Sequence, residues 1–421
     1  MNIIIHPQSL KGSIKIPPSK SQSHRTIIAA SLARGKSILS NMAYSEDVLA
    51  TIAAMEKIGA KCIQNPNQLI VNATGRIVIT DDNFIDCNES GSTLRLLIPI
   101  MTLSRQKVVF TGKKSLFQRP LGIYESLFRN LGLQYQKNED TLIISGGLPG
   151  GHYDIPGNIS SQFISGLLFA LPLAKEDSRI RVTGKYESKG YVDMTCDMLR
   201  KSGIVIHEHN DVYEIKGNQS YRPISLKIEG DFSQLAFFAV AGLIGNDILC
   251  KNIELDSLQP DYRILDCILA SGGHYSTGPE GITFHQSQTT GVVYDVSQSP
   301  DIAPILAILA ASSQGTSRIV NAGRLKYKES NRLSSIEHTL KGLGVSTQLL
   351  DDGLIIEGQP EFEGGVFDSF NDHRIVMALA IASIRCKKQV TIKHAEAVNK
   401  SYPRFFEDFK SIGGQFTVVE D

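Results

Sequence analysis

Two kinds of apolar segment alternate along the chain. The first is short, amphipathic and ends in glycine ahead of a strand-like run: AAMEKIGAKC, SLFRNLGLQY, DMLRKSGIVI, CILASGGHYS, TLKGLGVSTQ and DFKSIGGQFT. Their glycines, Gly59, Gly132, Gly203, Gly272, Gly344 and Gly413, stand 69 to 73 residues apart. Glycine just past a helix is a stop signal, because it takes the left-handed backbone without steric cost. Six such stops in step identify a repeat. After each of the first five comes a strand, a turn cluster and a second strand, as in KCIQ-NPN-QLIVNA and TQLL-DDG-LIIEGQ, which predicts hairpins. The sixth unit ends at QFTVVED with one strand only, and the N-terminal NIIIHPQ is suited to supply the other. Residues 1 to 17 are therefore expected to pair with the C-terminal half, so that the chain crosses between domains twice.

The second kind of segment is apolar nearly all round, the mark of a helix in a domain interior. Each opens on a polar cluster: near Ser19 (SKSQSHRTIIAASLA), Ser90 (SGSTLRLLIPIM), Ser160 (SSQFISGLLFALPLA), Asp231 (DFSQLAFFAVAGLIG), Pro300 (PDIAPILAILAA) and Asn371 (NDHRIVMALAIAS), 69 to 71 residues apart. Ser, Asp and Asn are ordinary N-caps, and any one cluster is accounted for as a cap. The six together carry more than capping needs: Lys20, Arg25, Arg95, Asp301, and the triplet Asp372, His373, Arg374. With three units per domain and the buried helices parallel, three positive helix ends leave one face of each domain. Two such faces across a hinge predict an anion-attracting cleft.

Length and charge sharpen this. A chain of 421 residues exceeds what one core organises, so two domains are expected. Lys plus Arg equals Asp plus Glu, 43 against 43, so no global field draws the protein to nucleic acid or a membrane surface, and an anion site has to be built locally. Six scattered cysteines without a CxxC or a Cys/His cluster argue against a disulfide framework or a zinc site, and with MNIIIHPQ at the start they predict a soluble cytoplasmic protein without a metal. The longest apolar runs, such as LAFFAVAGLIG, fall short of a membrane span.

Several short stretches carry the candidate chemistry. In PPSKSQSHR, Ser21 and Arg25 are four apart on one helical face beside Lys20, a set of donors suited to phosphate or carboxylate. KYKESNRL spaces Lys328 and Arg332 at i,i+4 with Glu329 between, giving a basic face beside a carboxylate if the segment is helical. FNDHR sets a histidine and an arginine at the head of an apolar helix, QRPLG holds Arg119 before a proline, and PRFFEDF reads as an amphipathic helix. GKS at Gly35 is no phosphate loop, since Ala30 stands where its first glycine is needed, and GGLPGG from Gly146 reads as a turn.

KSQSHR, ESGSTLR, QRPLG, SSQF, KYKESNRL and NDHR in this order, completed by Lys400 in NKSYP, resemble the 5-enolpyruvylshikimate 3-phosphate (EPSP) synthase family over essentially the whole chain. The resemblance implies an α/β fold of two domains, each of three βαβαββ repeats around buried parallel helices. Residues 18–229 would form the shikimate 3-phosphate side, and 230–421 with the strand in 1–17 the phosphoenolpyruvate and catalytic side. It implies transfer of the enolpyruvyl group of phosphoenolpyruvate to the 5-hydroxyl of shikimate 3-phosphate through a tetrahedral intermediate, with release of phosphate. By resemblance, Lys20, Ser21, Arg25, Ser160, Ser161, Gln162, Ser188, Tyr191, Asp301 and Lys328 would hold shikimate 3-phosphate. Lys20, Gly91, Ser92, Arg119, Gln162, Arg332, Arg374 and Lys400 would surround phosphoenolpyruvate. Asp301, Glu329 and Lys20 would move protons, Asp301 at the hydroxyl and Glu329 at the methylene carbon. The family also implies a monomer that works without metal or cofactor, and, with Gly91 kept, inhibition by glyphosate.

Three positions depart from the family's usual residues: Glu89 for Asn, Ser92 for Thr and Asn331 for Asp. Glu89 replaces a donor expected near phosphoenolpyruvate. Two other readings stand beside this one. UDP-N-acetylglucosamine enolpyruvyl transferases share the fold and use a loop cysteine, but TGKKSLFQ before Arg119 has none. A non-catalytic anion-binding homologue would gain nothing from Asp301 and Glu329, since added carboxylates oppose the binding of polyanions.

Overall fold

A computed structural model of the chain describes residues 1–79 and 83–419, so the last two residues of QFTVVED lie outside it. The chain divides into two compact units, Met1–Ser19 with Glu229–Asp421, and Lys20–Ile228. The boundaries expected from sequence, after residues 17 and 229, fall within two residues of these. Each unit has its own hydrophobic core. The fold is α/β.

Among the described residues six four-stranded sheets carry the repeat, three in each unit, and every one has the same order. An edge strand lies parallel to its neighbour, and that neighbour pairs antiparallel with the last strand of a hairpin. In the third repeat, for instance, Gly151–Pro156 runs parallel to Ser178–Thr183, which is antiparallel to Val212–Ile215. The hairpin closes with Ile206–His209. A crossover between the parallel strands needs a long connection, and the helix Ser161–Ala170 supplies it. All six glycines named from the sequence do take positive φ, from 65° at Gly132 to 104° at Gly413, ending the outer helix so that the chain can turn into the hairpin.

Three repeats are completed from a distance. Asn2–His6 lies antiparallel between Val390–Lys393 and Gln415–Val419, filling the gap in the sixth repeat. Gly12–Lys15 runs parallel to Ile248–Lys251 and opens the fourth. The sequence pattern did not disclose the matching strand of the first repeat, Ser225–Lys227, which pairs parallel to Ile38–Ser40. Its three residues carry no periodic signal. The two passages between units run beside each other: Ser19 N–H donates to Glu229 O (2.8 Å) and Asp231 N–H to Pro17 O (2.9 Å). A Cβ at Gly230 would stand 2.0 Å from Asn252 O, so this crossing requires glycine.

The helices apolar all round are the inner ones: Lys20–Leu32, Gly91–Thr102, Ser161–Ala170, Phe232–Ile244, Ala303–Ser312 and His373–Ala382. All thirteen residues of Phe232–Ile244 are buried. The outer helices bury one face only, as Tyr124 and Phe128 do in Gly122–Asn130. PRFFEDF does contain a short helix, Phe405–Ser411, resting on Phe405, Phe406 and Phe409.

Candidate functional site

In each unit the starts of the three inner helices lie together. In the Lys20–Ile228 unit, Gln162 Nε2 at the third helix donates to Ser92 Oγ at the second (2.9 Å), and Arg95 Nη1 donates to Gln162 Oε1 (3.0 Å). Arg95 Nη2 donates to Pro120 O (3.1 Å), which ties the QRPLG turn to the same end. Two of the three clusters cap their own helix: Ser90 accepts from Thr93 N–H and Ser160 from Gln162 N–H. Three aligned positive helix ends follow.

Lys20 Nζ sits 2.7 Å from Asp47 Oδ2, both largely buried. Asp47, from the outer helix Glu46–Glu56, carries no motif of its own and was missed in the sequence. Arg25 does not stand clear as a simple anion ligand. Its Nη1 donates to Ser21 O, its Nη2 to Tyr191 O and its Nε to Thr195 Oγ1, each at 2.8 Å. Burial pulls the guanidinium down to about 10. Arg25 thus fixes the head of the Lys189–Lys201 helix, where Ser188 is held in the left-handed region (φ 53°), an uncommon state for serine. Gly91 is bare for a reason: a Cβ there would come 2.8 Å from Arg119 Nη1. Glu89 is buried and pairs with Lys113 Nζ at 3.3 Å, so its carboxylate has a cation of its own.

The other unit concentrates charge. Asp301 meets Lys328 Nζ (3.0 Å), Arg332 Nη1 (3.0 Å) and Arg374 Nη2 (3.3 Å). Burial alone would push this carboxyl up. The attraction of Lys328, Arg374 and Arg332 outweighs it and holds Asp301 well below the usual carboxylate range. Arg332 is wholly buried and binds three carboxylates at once: Nε to Asp372 Oδ2 (2.9 Å), Nη1 to Asp301 Oδ1 (3.0 Å), and Nη2 to Glu329 Oε2 (2.5 Å) and Asp372 Oδ1 (3.2 Å). Those carboxylates raise its affinity for the proton despite burial. Lys400 Nζ donates to Asn371 O (2.6 Å), gripping a turn in which Phe370 and Asn371 both have positive φ.

Two local expectations change. Lys328 and Arg332 do not share a helical face: Gly323–Tyr327 is a 3₁₀ turn, Lys328 is extended, and the helix begins at Arg332 because Asn331 caps it by accepting from Ser334 N–H. The departure Asn331 therefore serves as an N-cap. At the sixth helix the cap is Asp372, not Asn371: Asp372 Oδ1 accepts from Arg374 N–H. Asp261, also missed, belongs to this cluster. It is buried, accepts from Ser233 Oγ, and is pushed up to about 6 by burial and by Asp301, against the pull of Arg374. Its neighbours in QPDYR gave no helical or catalytic pattern to find it by.

Among the described residues no group of His, Cys, Asp and Glu could hold a metal, and no helix is long and apolar enough to cross a membrane. The six cysteines are free thiols, four of them buried. What the clusters can do is bind phosphate and carboxylate through fixed cations and amides, with carboxylates at hand for proton transfer.

Comparison with known proteins gives a consistent result. The family model for EPSP synthase (3-phosphoshikimate 1-carboxyvinyltransferase) matches residues 4–409. The chain is 47% identical over 418 residues to a 3-phosphoshikimate 1-carboxyvinyltransferase of Clostridium perfringens, covering 98% of each, and 42% identical over 426 residues to that of Clostridioides difficile, covering 98% of this chain and 97% of the other. Among solved structures, EPSP synthase from Acinetobacter baumannii superposes with a TM-score of 0.84 at 26% identity over the whole of both chains. The enolpyruvyl transferase NikO from Streptomyces tendae shares the fold, with a TM-score of 0.82 at 15% identity over 99% of this chain and 98% of that one.

Proposed function

The chain belongs to the EPSP synthase family, the 3-phosphoshikimate 1-carboxyvinyltransferases, and from that membership we propose which of its residues carry the reaction. It is an enolpyruvyl transferase of the shikimate pathway, using phosphoenolpyruvate and shikimate 3-phosphate as small-molecule substrates. The 5-hydroxyl of shikimate 3-phosphate adds to C2 of phosphoenolpyruvate while C3 takes a proton. The tetrahedral intermediate then loses that C3 proton and phosphate, leaving the enolpyruvyl ether.

We assign Ser21, Arg25, Ser160, Ser161, Gln162, Ser188, Tyr191, Asp301 and Lys328 to shikimate 3-phosphate. Gly91, Ser92, Arg119, Gln162, Arg332, Arg374 and Lys400 are assigned to phosphoenolpyruvate, and Lys20 to both. Arginine suits this work because its planar fork holds a carboxylate or phosphate through two bonds. Lys20 is held for it by Asp47, and Gln162 by Arg95.

Asp301 is the base at the 5-hydroxyl and Glu329 the group that serves C3. A carboxyl held as low as Asp301 is a weak base while three cations surround it. Polyanionic substrates engaging Lys328, Arg332 and Arg374 would relieve that field and raise its basicity when it is needed. The observation that carries this reading is the network joining Asp301 and Glu329 through one buried arginine. We further propose a monomer in a reducing, cytoplasmic setting, consistent with the six free thiols.

The test is phosphate release from phosphoenolpyruvate with shikimate 3-phosphate or UDP-N-acetylglucosamine as acceptor. Release with shikimate 3-phosphate alone is expected. Release with the nucleotide sugar alone would overturn the acceptor assignment, and none with either would leave a binding protein.

A further inference from the structure

His24 lies in the KSQSHR stretch but has no part in the assignments above. It is 1% exposed, its Nδ1 is 2.7 Å from Thr51 Oγ1, and its Nε2 is buried without a hydrogen-bond partner. Thr51 Oγ1 is in turn 2.7 Å from Thr93 Oγ1, and Thr93 Oγ1 donates to Ser90 Oγ at 2.7 Å. The direction of this chain follows from counting hydrogens. A hydroxyl has one to give. Thr93 gives its hydrogen to Ser90, so the hydrogen between the threonines is that of Thr51, and the one between Thr51 and the imidazole must come from Nδ1. The carbonyl of Asp47 is a weaker alternative acceptor, at 3.5 Å from Thr51 Oγ1 and 3.4 Å from Thr93 Oγ1.

One end of this chain and its middle touch the proposed machinery. Ser90 caps the helix that begins with Gly91 and Ser92. Asp47, whose carbonyl lies beside both threonines, holds Lys20. We propose that His24 is a positioning residue: as the neutral Nδ1–H tautomer it drives a one-way relay, His24 to Thr51 to Thr93 to Ser90, that sets the Gly91–Ser92 turn relative to Lys20. Burial, with Lys20 and Arg25 nearby, keeps the ring from taking up a second proton, which would give Nε2 a buried hydrogen and no acceptor. This inference rests on the phosphoenolpyruvate assignment of Lys20, Gly91 and Ser92.

Bond counting supplies the test. Nδ1 is two bonds from Cβ, as is the amide nitrogen of asparagine, whereas Nε2 is three bonds away, as is that of glutamine. His24→Leu should lower kcat/KM for phosphoenolpyruvate at least about tenfold, His24→Asn should recover most of that loss, and His24→Gln should not. Nitrogen-15 NMR of the unmodified chain should show a proton on Nδ1 of His24 and none on Nε2. Equal activity of the asparagine and glutamine variants, or a proton on Nε2, would overturn the relay. The NMR result stands even if the chain released no phosphate with shikimate 3-phosphate, an outcome that would instead strike the reaction assigned above.

Discussion

Arg332 Nη1 lies 3.0 Å from Asp301 Oδ1, and the same guanidinium holds Glu329 and Asp372. Two proposed proton-transfer groups are therefore set by one side chain with no exposure to solvent. Three carboxylates at fixed angles need a planar fork, which an ammonium cannot imitate. Arg332→Lys keeps the charge and should still lower kcat/KM at least about a hundredfold, because the carboxylates lose their common reference. It should also cost about 3 kcal/mol of stability, the usual result of breaking a buried ionic cluster. Steady-state kinetics and urea unfolding check both; near-normal kcat would mean that the network is only structural.

Asp301 and Glu329 can be separated from binding. Asp301→Asn and Glu329→Gln preserve shape while removing the carboxylate charge and with it the ability to take a proton. Each should lower kcat by about a hundredfold or more while leaving the dissociation constant of shikimate 3-phosphate within about threefold, as expected for general acid–base groups. Calorimetric titration beside turnover measures this, and equal loss of binding and turnover would sink the catalytic assignment.

The legibility of the chain was uneven for physical reasons. Helix stops, hairpins and buried helices are local patterns, and the period of about 70 residues made six weak signals into one strong one. The orphan strand could be inferred because the sixth unit lacked a partner. Ser225–Lys227 could not, since three residues joined to a strand nearly two hundred residues earlier leave no periodicity. In the site, Lys20, Arg25 and Arg374 were visible as charges at apolar helix heads. Asp47 and Asp261 were not, because each acts only through a neighbour brought by the fold: Lys20 for one, Ser233 for the other. Lys328 and Arg332 were misread as one helical face because the cap at Asn331 is a short-range choice that a basic i,i+4 pattern obscures.

Gly91 tests the phosphoenolpyruvate assignment. Its missing Cβ leaves the place that Arg119 Nη1 occupies at 2.8 Å. Gly91→Ala need not strain the backbone, since alanine suits the start of a helix. The guanidinium has to yield instead. KM for phosphoenolpyruvate should rise several-fold, to about tenfold, with the unfolding midpoint nearly unchanged and KM for shikimate 3-phosphate little affected. An unaltered KM for phosphoenolpyruvate would place Arg119 outside the site.

Asp261 and Asp301 give opposite pH dependences. Asp301 is held well below its ordinary range, so the stability it contributes is present above the unfolded carboxyl's range near pH 4 and is lost as pH falls through its lower folded value. Asp261 is pushed up to about 6, chiefly by burial and next by Asp301. Its folded form favours the protonated carboxyl, so its contribution is present below about pH 4 and is lost as pH rises through about 6. Above that, the protein carries a buried charge it would be more stable without. Asp261→Asn keeps an oxygen for the Ser233 hydroxyl and has no charge to bury. The variant should be more stable than the parent at pH 7.5, by on the order of 1–3 kcal/mol, with the advantage fading as pH falls from about 6 to about 4. Urea unfolding across pH 4 to 8 measures the difference directly. A gain independent of pH would mean that packing, and not ionisation, separates the two proteins. A loss at every pH would mean that the Ser233 contact requires a carboxylate.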